Sequence, residues 1–235
     1  MNKDNLRELV KPYNNNLKHP YYRPYVTHNE NEKYNIFLAG INPATPIYTK
    51  DIDLNQYADL LTNYDEFYKF YNKIRQENNT NKISRTRLGI TSFVDEIERS
   101  TGESVLETNV VPYPTKNKKI LAKVDPDAVA QGLSLFYEVL IHHSPQFIII
   151  YSKGGLEYLV KVLYEKNLIE NKPSTKMKVA EMENSNGPFL EFKYPNGKRG
   201  VVFVCRHFMY YGREGKSYSA FKNKVILSIN EEKIN

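Results

Sequence analysis

A chain of 235 residues with 40% hydrophobic residues is long enough to bury a full core and too apolar to be disordered by composition. A single cysteine, Cys205, excludes an internal disulfide framework, and a formal charge of +6, from 33 basic and 27 acidic residues, favours polyanionic partners only weakly. The opening segment MNKDNLRELVKPYNNN has no apolar signal core, and the longest apolar strand, 147–151, is far too short to span a bilayer, so the expectation is a cytoplasmic protein with no membrane partner.

Residues 3–10 are expected as one short amphipathic helix stopped by Pro12. The stretch 14–33 is polar, aromatic and twice broken by proline, and it reads as an extended arm lying on the body. Residues 1–34 are therefore taken as helix and arm, and 35–235 as a single domain. Strand one follows at 35–40. Apolar residues from Leu54 to Ile74 recur at helical spacing, in one or two helices, and their aromatic stripe is read as core. Residues 78–87 form a polar, basic loop, and 88–99 another helix.

The second strand is expected at 105–111, ending in a turn marked by Pro112 and Pro114. Asp125-Pro126 starts a helix, with aspartate as cap and proline at the first helical position. The third strand is 146–151, and Ser152-Lys153-Gly154-Gly155 leads into a further helix. That helix start offers backbone N–H groups to a phosphate but lacks the Gly-Lys-Ser/Thr ending of a P-loop. Residues 170–187 read as a loop. Asn196-Gly197 signals a hairpin whose second arm, 200–205, is the fourth buried strand, and a last helix spans about 217–230. Strands alternating with helices predict a three-layer α/β/α sandwich around a four-stranded, mainly parallel sheet.

In such a sheet, ligands bind beyond the carboxyl ends of the strands. Strand one delivers Gly40 to Thr45 there: Gly40 lets backbone approach a ligand, Asn42 donates and accepts, and Pro43 stiffens the turn. Strand two holds Asn109, which is costly to bury unless its amide pairs with a loop or a ligand. Strand four leads to His207. All three are expected at corresponding strand ends.

The segments GINP (Gly40 to Pro43), ETNVVPYP (Glu107 to Pro114) and VFVCRHF (Val202 to Phe208) resemble, in order and spacing, motifs of the uracil-DNA glycosylase superfamily. The similarity is greatest to the mismatch-specific and single-strand-selective branches. It implies a monofunctional enzyme that hydrolyses the N-glycosidic bond of uracil or a related base in DNA, with no metal or cofactor. By similarity, Asn42 positions the water and His207 hydrogen-bonds the developing base oxyanion. Asn109 pairs with the base edge, with Gly40, Ile41 and Tyr48 also around the base. The iron–sulfur branches of the superfamily are excluded by the single cysteine.

Two positions depart from the family pattern. Ala44 stands where the family has glycine, and Phe208-Met209 where it has Pro-Ser. Residues 208–211 serve as an apolar wedge, as core or as a protein-binding patch. DNA phosphates are expected to meet Lys116, Lys118 and Lys119, the basic segment from Lys82 to Arg87, and Arg206, Arg213 and Lys216 around the fourth-strand loop, with Phe208 binding DNA as the wedge. The rivals are a binding module that keeps the fold and has lost catalysis, and an enzyme acting on free nucleosides or nucleotides.

Overall fold

The computed structural model describes residues 3–27, 33–77, 83–212 and 215–233. Among them are six strands: β1 (Tyr25–Val26), β2 (Ile36–Gly40), β3 (Val105–Asn109), β4 (Phe147–Ile150), β5 (Leu190–Lys193) and β6 (Arg199–Val204). They form one mixed, mostly parallel sheet in the order β1-β3-β2-β4-β6-β5. The sheet thus has six strands rather than the four predicted, because each edge carries an added antiparallel strand. One edge, β1, is only two residues long and sits in the proline-broken arm, where no periodicity can form. The other, β5, is the first arm of the hairpin; its turn places Gly197 at a φ of 84°, a conformation that favours glycine.

Nine α-helices accompany the sheet among the described residues: α1 (Lys3–Val10), α2 (Leu54–Leu61), α3 (Tyr64–Glu77), α4 (Arg85–Thr101), α5 (Lys118–Leu121), α6 (Pro126–His143), α7 (Lys153–Glu165), α8 (Val179–Glu183) and α9 (Ser219–Glu232). None is long and apolar enough to cross a membrane. The chain divides into two compact units. The first draws on the described residues of Met1–Lys33, Gly40–Asn81 and Leu106–His142, the second on those of Tyr34–Ala39, Lys82–Val105 and His143–Asn235.

In the first unit the arm is interior structure. Residues 20–25 are all buried. Tyr22 Oη donates to Ala128 O at 2.7 Å, Tyr57 Oη to Tyr22 O at 3.3 Å, and the Tyr21 ring stacks on Tyr57 with centroids 4.6 Å apart. Backbone groups that the prolines leave without a long ladder find partners elsewhere: Tyr21 N–H donates to Ile47 O, Arg23 N–H to Pro112 O, and Thr108 Oγ1 to Pro24 O at 2.6 Å. Asp53 caps α2 by accepting from Asn55 and Gln56 N–H, and Asp125 Oδ1 accepts from Asp127 N–H at 2.9 Å at the start of α6, as the Asp-Pro pair predicts.

In the second unit β2, β4 and β6 run parallel, with Ile36, Phe147 and Val201 in one row and Ala39, Ile150 and Val204 in another. Their carboxyl ends are therefore level. Nearly every residue of these strands is buried, as a parallel sheet covered on both faces requires. One core cluster joins Leu38, Ile149 and Phe203 of the strands to Phe93 and Ile97 of α4 and Phe221 and Val225 of α9. The stretch 170–187, expected to be loop, contains α8, a five-residue helix too short to show a helical repeat in sequence.

Candidate functional site

The loop after β2 belongs to the first unit and is fixed along its length. Gly40 O accepts from Val110 N–H and Ile41 O from Val111 N–H, so the backbone leaving β2 runs beside the backbone leaving β3. Asn42 continues the tie through its side chain. Its Nδ2 donates to Thr115 Oγ1 at 2.9 Å and to Pro43 O at 3.1 Å, with Thr115 O at 3.4 Å. Carbonyl acceptors on that side settle the amide's orientation and leave Oδ1 as its remaining acceptor.

Beyond Asn42, Ala44 is exposed and Thr45 holds a φ of 56°, strained for a β-branched residue. What holds it is Arg23, 6% exposed, whose guanidinium donates to Ala44 O and Thr45 O and lies 5.2 Å from the Tyr71 ring centroid and 5.5 Å from that of Phe67. Tyr71 Oη meets Thr45 Oγ1 at 3.1 Å. Sequence reasoning missed Arg23: its signal, a lone arginine between aromatic and proline residues, also describes a solvated arm.

Asn109 ends β3 half-buried, and its side-chain amide makes no hydrogen bond among the described residues. A donor and an acceptor are thus left open at the carboxyl end of the strand. Tyr48 is half-buried; its N–H donates to Asp51 Oδ2 at 2.8 Å, and the Lys50 ammonium lies 5.8 Å from its ring centroid. Tyr113, in the turn after β3, shares a 2.8 Å hydrogen bond with His19 Nδ1, and burial, then the neighbouring Tyr48 and Asp125, push its phenol up to about 12. Lys116, Lys118, Lys119 and Lys123 are exposed and form no ion pair among the described residues.

His207 belongs to the second unit, at the head of a 3₁₀ turn over Phe208–Tyr210. Its Nδ1 accepts from Met209 N–H at 3.3 Å, which places the ring proton of the neutral imidazole on Nε2. Burial lowers its pKa from the usual histidine value, so the neutral form holds at pH 7. The Tyr151 ring meets the imidazole edge-on at 5.8 Å. A half-buried, neutral imidazole with a defined Nε2–H is a hydrogen-bond donor that does not require prior protonation.

Two expectations around this turn are corrected. Phe208 is not a surface wedge: it is 0% exposed, with its ring centroid 5.0 Å from Phe93 and 5.3 Å from Tyr151. The exposed apolar residues there are Met209 and Tyr210, at 48% and 61%. Arg206 is not free for phosphate either, because Glu183 takes its fork: Nη2 donates to Oε1 at 2.7 Å and Nε to Oε2 at 3.0 Å. A carboxylate only 4% exposed needs that counter-charge. Lys216 is exposed, and Arg213 and Lys82 lie outside the described residues. At the start of α7, Gly155 N–H is taken by the Ser152 cap at 3.0 Å.

No group of three or more His, Cys, Asp or Glu side chains suited to a metal ion occurs among the described residues. Comparison of the sequence with protein-family models returns no match, and comparison with curated proteins returns none either.

Proposed function

We propose that this protein is a monofunctional DNA glycosylase, hydrolysing the N-glycosidic bond of uracil or a related deaminated or modified base, on a three-layer α/β/α sandwich of the uracil-DNA glycosylase type. In that reaction the bond between C1′ and the base nitrogen breaks with its electron pair on the base. Water oxygen adds to C1′ and releases a proton to solvent. Positive charge develops on the sugar and negative charge on the base, so what helps is a placed water and donors aimed at the base oxygen.

The observation that carries the reading is the unpaired amide of Asn109 at the carboxyl end of β3, a donor and an acceptor side by side for a base edge. Asn42 supports it, since anchoring its Nδ2 on Thr115 leaves Oδ1 as an acceptor for a water proton. His207, in the second unit, offers an Nε2–H, a donor whose hydrogen bond to an oxygen strengthens as that oxygen becomes anionic. The exposed lysines of segment 116–123, which form no ion pair among the described residues, would provide phosphate contacts.

The test is an end-labelled oligonucleotide carrying one uracil, incubated with protein and then cleaved with alkali. Strand scission is expected for the native protein and its loss for Asn42→Ala and His207→Ala; full activity in those variants removes them from the chemistry. A second reading, a nucleic-acid-binding protein with catalysis reduced, is favoured by one observation: the Asn42 amide donor is already engaged by oxygens of its own unit. Salt-dependent DNA binding with no release of any base from a damage panel would select it.

A further inference from the structure

We propose that Glu183 is a positioning residue for His207, acting through Arg206; its effect on catalysis rests on the glycosylase reading above, whereas its effect on the imidazole does not. Glu183 ends α8, in a stretch whose sequence suggests only a loop, and both its oxygens are engaged. Oε2 accepts from the Arg206 main-chain N–H at 2.7 Å and from Nε at 3.0 Å, and Oε1 accepts from Nη2 at 2.7 Å.

The main-chain bond sets the geometry, because it fixes the peptide unit immediately before Arg206, one residue ahead of His207. The peptide unit after His207 is fixed as well. Arg206 Nη2 donates onward to Ser217 O at 3.0 Å, and the guanidinium lies 5.0 Å from the Tyr218 ring centroid. Tyr218 Oη then donates to His207 O at 3.0 Å. Carboxylate, guanidinium and phenol thus close a loop around the two residues Arg206 and His207, and their backbone torsions set the direction in which the imidazole leaves the chain. The anchor is itself held, since Lys224 Nζ donates to Glu183 O at 2.9 Å and Ser185 O at 2.7 Å, tying the end of α8 to α9.

Stability alone is a poor reason for this arrangement. A buried ion pair is often matched or exceeded by apolar side chains of the same volume. What apolar residues do not supply is a directed acceptor for one main-chain N–H and a planar fork for one guanidinium. Among the described residues, His207 meets the Tyr151 ring from just after β4, the Tyr218 hydroxyl and Tyr210 N–H on its carbonyl, and Met209 N–H on Nδ1, and the nearest charged pair along the chain is Arg206 with Glu183. Released from this frame, the ring loses the Met209 bond that selects its tautomer and gains solvent.

The experiment compares native protein with Glu183→Gln, which keeps shape and loses charge, and Arg206→Lys, which keeps charge and loses the fork. Nitrogen-15 NMR of the His207 ring reads tautomer and titration, and single-turnover base release reads the rate. Native protein is expected to show the Nε2–H tautomer. Both variants should show a mixture, with a midpoint shifted upward toward about 6.5. Base release should slow by about 10- to 100-fold, the scale of a misplaced catalytic group, with substrate affinity unchanged. A folded Glu183→Gln protein with native ring signals overturns the proposal. Should that variant fail to fold, Arg206→Lys decides by the same signals, and failure of both to fold makes the pair a stability element and also overturns it. If native protein releases no base, the ring signals still decide the role of Glu183, and only the glycosylase reading falls.

Discussion

Replacing Gly89 by alanine sets helix propensity against packing beside the turn that carries His207. Gly89 lies inside α4, where alanine is favoured over glycine by about 1 kcal/mol. A Cβ at that position would stand 2.6 Å from Phe208 O and 2.8 Å from Tyr211 Cβ. Neither is the far end of a flexible side chain. The first is backbone, and it has nowhere to retreat because Phe208 is itself packed between Phe93 and Tyr218. Overpacking of this kind costs about 1–3 kcal/mol, toward the upper end where backbone must move, so the net loss is about 1–2 kcal/mol after the helix gain. With a urea slope of about 2–3 kcal/mol/M, the midpoint should fall by roughly 0.5 M. Gly132→Ala in α6 is the control. Its nearest atoms, at 3.5 to 3.7 Å, make ordinary contacts, so only the helix term remains and the midpoint should rise. Far-UV circular dichroism in urea reads both. A midpoint for Gly89→Ala at or above that of the native protein would refute the claim that α4 is wedged against the turn.

Truncating Phe208 to alanine should cost about 3–5 kcal/mol, as for a fully buried aromatic, and a loss below about 1 kcal/mol in the same titration would return the ring to the surface. Asn109→Ala should leave the stability within about 0.5 kcal/mol of native, since the amide has no hydrogen bond to give up, while abolishing base release; a strongly destabilised variant would mean that the amide is structural. Lowering pH should reduce stability through His207. Burial holds its folded pKa below the unfolded value of about 6.5, so the unfolded chain takes up the proton first. The contribution is complete above about 6.5 and is lost as pH falls through the folded value; His207→Gln should flatten that part of the profile between about pH 5 and 7, and an unchanged profile would contradict the assignment. Replacing Lys116, Lys118 and Lys119 by glutamine should reduce the slope of log binding constant against log salt by about 0.9 for each duplex phosphate no longer neutralised. An unchanged slope would place the phosphate-binding side chains elsewhere.

The parts of the fold legible in the sequence are those with a local cause. Buried parallel strands are continuous apolar runs, and 36–40, 147–150 and 200–204 are visible as such. Asp125-Pro126 and Asn196-Gly197 each specify a cap or a turn from their own side chains. The residues singled out after β2, in β3 and after β6 follow from where those strands end, and Asn109 can be named without coordinates because an amide in a buried run needs a reason.

Tertiary structure decided everything that depends on a partner distant in the chain. Arg23 and Glu183 stand in stretches that read as solvated arm and loop. One is an interior prop beneath the Ala44–Thr45 backbone, the other an interior clamp on Arg206. Phe208 and Arg206, expected to face DNA, are committed to the core and to a buried carboxylate. Sequence carries hydrophobic periodicity and local hydrogen-bonding chemistry, which act over a few residues. Whether a polar or aromatic side chain is free or already occupied is settled by groups that only folding brings beside it.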